Sequence, residues 1–186
     1  MRIISGIFKG KKISLPKDNL TRPLRDLVKE SIFNLIEHSN KFSCTITNSN
    51  ILDIFSGTGS FGIECISRNA KRVTFVENYK EAIFILKKNI SNLNSKKNYK
   101  IIEENCFTLF SLDKKFTEKF DIIFLDPPYK EKKINIIIEY IKENKILNQN
   151  GIMIIHRHKK DNILITKKLK ILEERSYGIS KIYIGN

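Results

Sequence analysis

The segment Ile51-Leu52-Asp53-Ile54-Phe55-Ser56-Gly57-Thr58-Gly59-Ser60-Phe61-Gly62 decides the fold. Its apolar first half is typical of a β-strand, and its second half matches G-x-G-x-x-G where a helix would begin. Small residues let a ligand approach the backbone closely. Glu77, at the end of the next predicted strand, can accept two hydroxyls of a ribose. The segment therefore predicts a strand, a ligand-binding turn and a helix, and a cofactor that contains a nucleoside.

Strands and helices are predicted to alternate after this point. The predicted strands are Ile51–Phe55, Arg72–Val76, Tyr99–Glu103, Asp121–Leu125 and Gly151–His156. The predicted helices are Ser60–Arg68, Lys80–Leu93, Phe107–Leu112 and Lys132–Asn144. Such alternation predicts a doubly wound, mostly parallel sheet with helices on both faces. Two strand-like runs, Lys168–Ser176 and Ile179–Ile184, follow without a helix between them, so we expect an antiparallel hairpin to close this α/β fold.

The residues before this alternation form an N-terminal part. Two short β-prone pieces, Arg2–Ile4 and Lys11–Leu15, predict a small hairpin. Apolar residues at helical spacing predict a helix over Leu24–His38. We therefore expect a hairpin and helix extension over residues 1–40, which contacts the substrate, and a catalytic domain over residues 41–186.

A second motif, Asp126-Pro127-Pro128-Tyr129, ends the fourth predicted strand. The prolines stop the strand and stiffen its end, because each ring fixes φ and removes an N–H. The Asp126 carboxylate and the Pro127 carbonyl can then accept both hydrogens of one planar amine, and Tyr129 can stack on the ring that bears it. The motif predicts a site for an aromatic amine; a proline-rich turn without a chemical role is the alternative.

The choice of cofactor depends on Asp53 and on this second motif. A dinucleotide would place its pyrophosphate at the start of the helix, where the carboxylate of Asp53 is unfavourable. S-adenosylmethionine (SAM) has no phosphate, and Asp53 can accept its methionyl amine directly or through water. An amine-holding site suits methyl transfer, whereas hydride transfer does not require one. We therefore predict SAM, with S-adenosylhomocysteine as product, and keep an NAD-dependent oxidoreductase as the alternative.

The composition favours a polyanionic partner. There are 34 Lys and Arg residues against 20 Asp and Glu, a net charge of +14, which favours nucleic acid. Cys44, Cys65 and Cys106 are odd in number and form no C-x-x-C pair, so we expect reduced thiols and neither zinc nor disulfides. No apolar run reaches membrane-spanning length, and the first residues lack a signal-peptide pattern. We expect a cytoplasmic protein without a membrane partner.

The N-terminal residues narrow the function. Arg2-Ile3-Ile4-Ser5-Gly6, Arg22-Pro23 and the run from Asp26 to Asn34, together with the glycine loop and Asp126–Tyr129, resemble the RsmD family of class I SAM-dependent methyltransferases. The resemblance covers nearly the whole chain. It implies a Rossmann-like fold and methylation of the 2-amino group of one guanine in 16S ribosomal RNA. The expected substrate is a small-subunit ribosomal particle, and the expected enzyme is a monomer that needs no metal.

The motifs and the resemblance together assign the site residues. The reaction is assigned to Asp126, Pro127, Pro128 and Tyr129. The cofactor is assigned to Asp53, Phe55, Ser56, Gly57, Thr58, Gly59, Glu77, Asn78, Asn105 and Cys106. RNA binding is assigned to Arg2, Lys9, Lys11, Arg22 and Arg25. The chain departs from the family pattern at Leu24, Leu27, Lys29, Asn105 and His156.

Two other functions fit part of this pattern. A DNA or RNA adenine-N6 methyltransferase would share the Asp-Pro-Pro-Tyr motif, although a DNA enzyme usually adds a target-recognition domain. A non-catalytic RNA-binding protein would keep the fold and the charge. The run His156-Arg157-His158 places two histidines on one side of a strand. No third metal ligand is evident, so we expect a solvated or RNA-facing basic strand end there.

Overall fold

The computed structural model describes residues 1–18, 24–94, 98–111, 116–161 and 169–186. Within these ranges the chain forms five helices and seven strands. In chain order they are α1 (Asp26–His38), β1 (Asn50–Ile54), α2 (Ser60–Ser67), β2 (Arg72–Val76), α3 (Lys80–Ser91), β3 (Asn98–Ile102), α4 (Cys106–Ser111), β4 (Phe120–Leu125), α5 (Ile134–Glu143), β5 (Leu147–His158), β6 (Ile171–Tyr177) and β7 (Ser180–Gly185).

These strands form one sheet in the order β3-β2-β1-β4-β5-β7-β6. The first five strands of that order are parallel, and β7 is antiparallel to both of its neighbours. The strand order reverses direction between β1 and β4, so the chain winds outward in two halves from that point. The predicted doubly wound, mostly parallel sheet with a closing antiparallel hairpin is therefore confirmed.

Two apolar clusters cover the two faces of the sheet. α1, α2 and α3 pack on the first face, and α4 and α5 pack on the second. Alternate residues of a strand face opposite sides, so Phe124 belongs to the first cluster and Leu125 to the second. The ring of Phe61 stacks between Phe33, at 5.1 Å, and Phe124, at 4.1 Å. This stack joins α1 and α2 to the central strands.

The N-terminal segment packs on the first cluster, but it does not form the two predicted strands. In residues 1–18 the chain has a single antiparallel bridge, between Arg2 and Lys12. The N–H groups of Ile3 and Ile13 donate across it to the carbonyls of Lys11 at 2.9 Å and Met1 at 3.0 Å. The predicted small hairpin is therefore present, but it is held by one bridge, and the pieces Arg2–Ile4 and Lys11–Leu15 do not extend into strands. Ile3 and Ile13 are buried in the same cluster as α1. The boundary predicted at residue 40 stays a prediction.

Buried polar side chains explain why the strands do not form. The N–H groups of Ile4 and Ser5 donate to the carboxylate of Glu64 in α2, at 2.8 and 2.9 Å, and so are not available to a strand partner. The Nζ atom of Lys29, also fully buried, donates to the carbonyl of Arg2 at 2.7 Å and lies 3.7 Å from Glu64. Burial lowers the pKa of Lys29, and the charge of Glu64 opposes that shift. The network fixes the N-terminal segment to α1 and α2.

The other elements differ from the predictions mainly at their ends. β5 begins at Leu147, four residues before the predicted start at Gly151. α1 begins at Asp26 and α5 at Ile134, both two residues later than predicted. Leu112, the predicted last residue of α4, and Lys168, the predicted first residue of β6, lie outside the described residues. In the described part of the chain, no helix has the length and apolar character needed to cross a membrane.

Candidate active site at the carboxyl ends of the parallel strands

The two sequence motifs meet where the strand order reverses. The glycine loop follows β1, and the Asp126–Tyr129 turn follows β4, the strand next to β1. Ligands of open α/β sheets bind outside the carboxyl ends of the strands, at this switch point. The sheet topology therefore brings together the residues assigned to the cofactor and to the reaction.

The glycine loop has the backbone conformation that its sequence predicts. Gly57 and Gly59 have φ values of 53° and 83°, in the left-handed region. A Cβ atom on Gly59 would also lie 2.3 Å from Leu86, so glycine is required there for space as well. Phe55 has a φ of 60° without being a glycine, and such strain is commonest at functional sites. The loop is a tight, strained turn held between β1 and α2.

Glu77 is fixed by the loop that it faces. Its carboxylate accepts the N–H of Gly57 at 2.8 Å and the N–H groups of Asn78 and Tyr79, both at 2.9 Å. A carboxylate has about four acceptor positions, so one remains for a ligand hydroxyl. The side chain is half-buried at the end of β2. Its geometry is compatible with a contact to one ribose hydroxyl, where the sequence predicted two.

Asp53 lies beneath the loop. One carboxylate oxygen accepts the N–H of Gly62 at 3.0 Å. The other oxygen, Oδ1, is buried and has no hydrogen-bond partner among the described residues. Burial raises the pKa of Asp53 well above its usual range; the Gly62 hydrogen bond opposes this, and the charges of Asp126 and Glu77 add to it. Since both oxygens are buried, a contact through water fits better than a direct contact with a ligand.

Asp126 is held by the neighbouring strands. Its N–H donates to the carbonyl of Ile54 at 3.3 Å, which continues the β1 and β4 pairing. In the pairing of β4 with β5, Leu125 lies opposite Ile155. The residues that follow these two, Asp126 and His156, are therefore neighbours. Nδ1 of His156 lies 2.7 Å from Oδ1 of Asp126. This hydrogen bond orients the carboxylate that the sequence assigned to the reaction.

Arg157 holds the turn that follows Asp126. The guanidinium is fully buried and donates to the carbonyls of Pro128 at 3.2 Å, Tyr129 at 3.2 Å and Glu131 at 2.8 Å. Its Nε donates to Asp161 at 2.6 Å. One side chain therefore fixes three successive parts of the turn, in addition to the stiffness that the prolines give.

Pro127 and Tyr129 are the other two residues of this turn that the sequence assigned to the reaction. In the described structure the carbonyl of Pro127 accepts no hydrogen bond, so it stays available to a ligand. The ring of Tyr129 meets the ring of His158 edge to face, at 4.9 Å and 84°, and that of His156 at 6.1 Å. These contacts fix the orientation of the half-buried tyrosine ring.

The prediction for the end of β5 is wrong. His156 and Arg157 are 1% and 0% exposed, so they are not a solvated or RNA-facing strand end. The antiparallel strand β7 covers this part of β5, and the turn after β4 supplies partners for both side chains. The expected parallel pairing of β4 with β5 is the signal that could have placed His156 beside Asp126. Among the described residues, no three His, Cys, Asp or Glu side chains group as metal ligands; the prediction that no metal is needed stays a prediction.

Two residues assigned to the cofactor, Asn105 and Cys106, lie at the start of α4. The side-chain oxygen of Asn105 accepts the N–H of Phe107 at 2.9 Å, as a helix cap does. Cys106 is buried, and burial raises the pKa of its thiol to about 12. The rings of Phe107 and Phe55 are in contact, with centroids 6.0 Å apart. This contact connects α4 to the glycine loop.

The structure separates the residues assigned to RNA binding. The exposed residues of that set are Arg2, Lys9, Lys11 and Arg25, and Arg22 lies outside the described residues. Lys29 donates to the carbonyl of Arg2 and lies 3.3 Å from Ser60, the first residue of α2. The carbonyl of Arg25 accepts the backbone N–H of Lys29. Arg2 and Arg25 therefore lie near the glycine loop.

Lys9 and Lys11 lie toward the opposite edge of the sheet. Nζ of Lys11 donates to the carbonyls of Asn92 at 3.2 Å and Leu93 at 3.5 Å, just after α3. The segment around Lys9 is tied to Ser67, the last residue of α2. Crossover helices run antiparallel to the strands, so their last residues point to the amino edge. The structure does not bring these two lysines to the candidate site.

Asn89 links the N-terminal segment to the glycine loop, a role that no motif in the sequence indicates. This buried side chain accepts the N–H of Ser14 at 2.8 Å and donates to the carbonyls of Ser14 and Thr58, both at 3.1 Å. Thr58 is part of the glycine loop. The position of the loop therefore depends on the N-terminal segment.

Comparison with known proteins identifies relatives over the whole length. Residues 1–186 match the family model described as Conserved hypothetical protein 95. Ribosomal RNA small subunit methyltransferase D of Buchnera aphidicola (from Acyrthosiphon pisum) is 37% identical over 182 residues, 98% of this chain and 91% of that protein. The protein of the same name from Haemophilus influenzae is 32% identical over 181 residues, 96% and 90% of the two chains.

A solved structure shares both the fold and the sequence. A methylase from Haemophilus influenzae superposes with a TM-score of 0.77 and 30% identity, over 99% of this chain and 96% of that one. The chain therefore belongs to the Conserved hypothetical protein 95 family, which confirms the resemblance to the RsmD family seen in its sequence.

Proposed function

We propose that this chain is a SAM-dependent methyltransferase that modifies the exocyclic 2-amino group of a guanine in 16S ribosomal RNA. One observation carries the proposal: the glycine loop after β1 and the rigid Asp126–Tyr129 turn after β4 lie next to each other at the switch point of the sheet. The names of the relatives, ribosomal RNA methyltransferases, agree with the enzyme class predicted from the sequence.

The residues around the loop fit SAM. Glu77 keeps an acceptor position for the ribose hydroxyls, and Oδ1 of Asp53 can accept from a water that bridges to the methionyl amine. Phe55, Phe107 and Cys106 form a wall beside the loop that suits an adenine ring. When bound, SAM supplies a methyl group whose carbon leaves sulfur as it bonds to the amine nitrogen.

The turn after β4 prepares the amine for that reaction. The Asp126 carboxylate and the Pro127 carbonyl accept the two hydrogens of the guanine 2-amino group, which localises the nitrogen lone pair and stabilises developing positive charge. The surplus proton of the methylated amine passes to a carboxylate oxygen of Asp126 and then to solvent. Tyr129 stacks on the extruded base. Positioning supplies most of the rate enhancement, which explains the support from His156 and Arg157.

The substrate assignment rests on charge and on the relatives. The net charge of +14 favours a polyanion, and exposed Arg2 and Arg25 lie near the loop. The relatives named for the small subunit favour its ribosomal RNA. We assign a monomeric enzyme that acts in the cytoplasm on a small-subunit particle.

Methyl transfer to defined RNA tests the proposal. Ribosomal RNA and small-subunit particles from a strain that lacks the protein are incubated with enzyme and labelled SAM, and the nucleosides are then separated. N2-methylguanosine at one position of 16S RNA is the expected product. The Asp126→Asn variant, which keeps the shape of the side chain, is the control and should lower turnover by roughly two to three powers of ten. N6-methyladenosine, or equal activity on duplex DNA, would refute the assignment.

A further inference from the structure

Two short loops beside the candidate site carry a concentration of exposed lysines. Residues 128–133 follow β4, and residues 159–161 follow β5. Their exposed lysines are Lys130, Lys132, Lys133, Lys159 and Lys160. β4 and β5 are parallel, so both loops lie at the carboxyl edge of the sheet, where Asp126 lies. We refer to this surface as the lysine face.

Buried contacts hold the two loops as one unit. Arg157 donates to three carbonyls of the first loop and to Asp161 of the second. The N–H of Lys159 donates to the carbonyl of Ile179 at 2.8 Å, and the N–H of Asp161 to that of His158 at 2.9 Å. The lysines are therefore displayed on a fixed backbone and not on independent loops.

Within the part of the chain that the structure describes, the charge of the lysine face is only partly neutralised. Its two carboxylates are Glu131 and Asp161. Asp161 is paired with the buried Arg157, and it also lies 3.5 Å from Nζ of Lys132. Glu131 accepts the backbone N–H of Lys133 at 2.7 Å. A surplus of cations therefore faces solvent next to Tyr129, while Lys9 and Lys11 lie toward the opposite edge.

We propose that the lysine face binds backbone phosphates of the substrate RNA on the nucleotides that flank the target base. The inference rests on the proposed function. Exposed lysines suit phosphates because they act as point charges without a demand for fixed geometry. Tyr129, in the first loop, contacts the extruded base, so phosphates bound by the adjacent lysines belong to its neighbours in the strand.

The test compares two triple variants with the same loss of charge. Lys130→Ala, Lys133→Ala and Lys160→Ala remove three cations from the lysine face. Lys71→Ala, Lys88→Ala and Lys100→Ala remove three exposed lysines from the amino edge, α3 and β3. Binding of labelled 16S RNA is measured by filter retention over a range of salt, together with KM for RNA, SAM affinity and melting temperature.

The expected result is specific to the lysine face. Its variant should bind RNA on the order of ten- to a hundredfold more weakly, and its slope of log affinity against log salt should be smaller by roughly two to three, one counterion contribution for each lost phosphate contact. KM for RNA should rise in parallel. SAM affinity and melting temperature should match those of the original chain. The control variant should lose less than about threefold in RNA affinity, because its lysines contact no phosphate and their loss weakens only the long-range, screened attraction between protein and RNA.

Equal RNA binding by the two variants would overturn the proposal. So would a lysine-face variant that binds free RNA normally but fails only on ribosomal particles, because that result assigns the surface to a protein partner. Failure of the proposed function looks different: the unaltered protein would then transfer no methyl group to RNA, whatever the two variants do in the binding assay.

Discussion

Replacing Asp53 with asparagine should stabilise the protein while weakening its binding of SAM. The carboxyl lies under the glycine loop, with one oxygen bonded to Gly62 and the other buried without a partner in the described structure. Asparagine keeps the acceptor for Gly62 and has no charge to bury, although its amide Nδ2 takes the place of the unpaired oxygen. The substitution therefore removes the buried charge and leaves the shape of the site.

The size of the effect follows from the buried charge of the carboxylate. A buried polar group without a partner costs about 1–3 kcal/mol, and more when it is charged. For a chain of 186 residues, 1 kcal/mol corresponds to roughly 2–4 °C in melting temperature. Asp53→Asn keeps the cost of the unpaired polar group and loses the additional cost of charge, so it should melt higher at neutral pH, by roughly 2–4 °C for each kcal/mol of that additional cost. SAM should stabilise the variant less than the original chain, because an acceptor oxygen near the methionyl amine is replaced by a donor.

The pH dependence separates this cause from a general packing effect. Because the folded pKa of Asp53 is raised, the folded state retains a proton that the unfolded state releases. The original chain thus loses stability as pH rises from the ordinary value of 3.8 through the raised pKa. Asp53→Asn has no such loss. The two proteins should melt together at low pH and diverge as pH rises.

Thermal unfolding between about pH 4 and pH 8, with and without SAM, measures both effects. Asp121→Asn is the matched control, since Asp121 already receives hydrogen bonds from Asn50 and Asn148 and should lose stability on substitution. A variant at Asp53 that melts lower than the original chain, or a difference that does not change with pH, would refute the reasoning.

Three further substitutions probe the site. Glu77→Gln should weaken SAM binding about ten- to a hundredfold by titration calorimetry, since charge-assisted hydrogen bonds are lost; unchanged affinity would remove Glu77 from the site. Asn89→Ala should lower the free energy of unfolding by about 2–4 kcal/mol in denaturant titration, because three buried hydrogen bonds, one of them to Thr58, disappear. His156→Leu should slow turnover about ten- to a hundredfold without changing SAM affinity, and His156→Asn, whose amide can still donate to Asp126, should restore most of it; equal rates for the two variants would contradict this role.

The parts of the fold that the sequence predicted are those with a local cause. Strand β2, Arg72–Val76, was predicted without error because an apolar run is bounded on both sides by polar residues. The glycine loop and the Asp126–Tyr129 turn are contiguous motifs whose conformation depends on glycine and proline themselves. The meeting of the two motifs followed from the strand order of a doubly wound sheet.

The missed features depend on contacts between distant residues. The first N-terminal piece stops pairing because Glu64, about sixty residues later, accepts the N–H groups of Ile4 and Ser5. The sequence predicts Arg157 as a surface residue because arginine usually is one. Its burial depends on carbonyls of a turn almost thirty residues earlier, and on the cover that β7 provides. A single sequence gives no direct sign of either pairing.

The charge distribution at the carboxyl edge explains how one surface can hold both a cationic cofactor and a polyanion. Asp53, Glu77 and Asp126 are close enough for the charges of the latter two to raise the pKa of the first, so the centre of the site is acidic within a basic protein. That centre attracts the sulfonium of SAM and repels phosphate. In our proposal the lysine face, which lies beside it, binds phosphate. The backbone of an RNA strand held on the lysines is therefore kept at a distance from the carboxylates. A base of that strand carries no charge, so it can approach Asp126 once it leaves the stack. Methylation of an exocyclic amine requires this extruded position of the base.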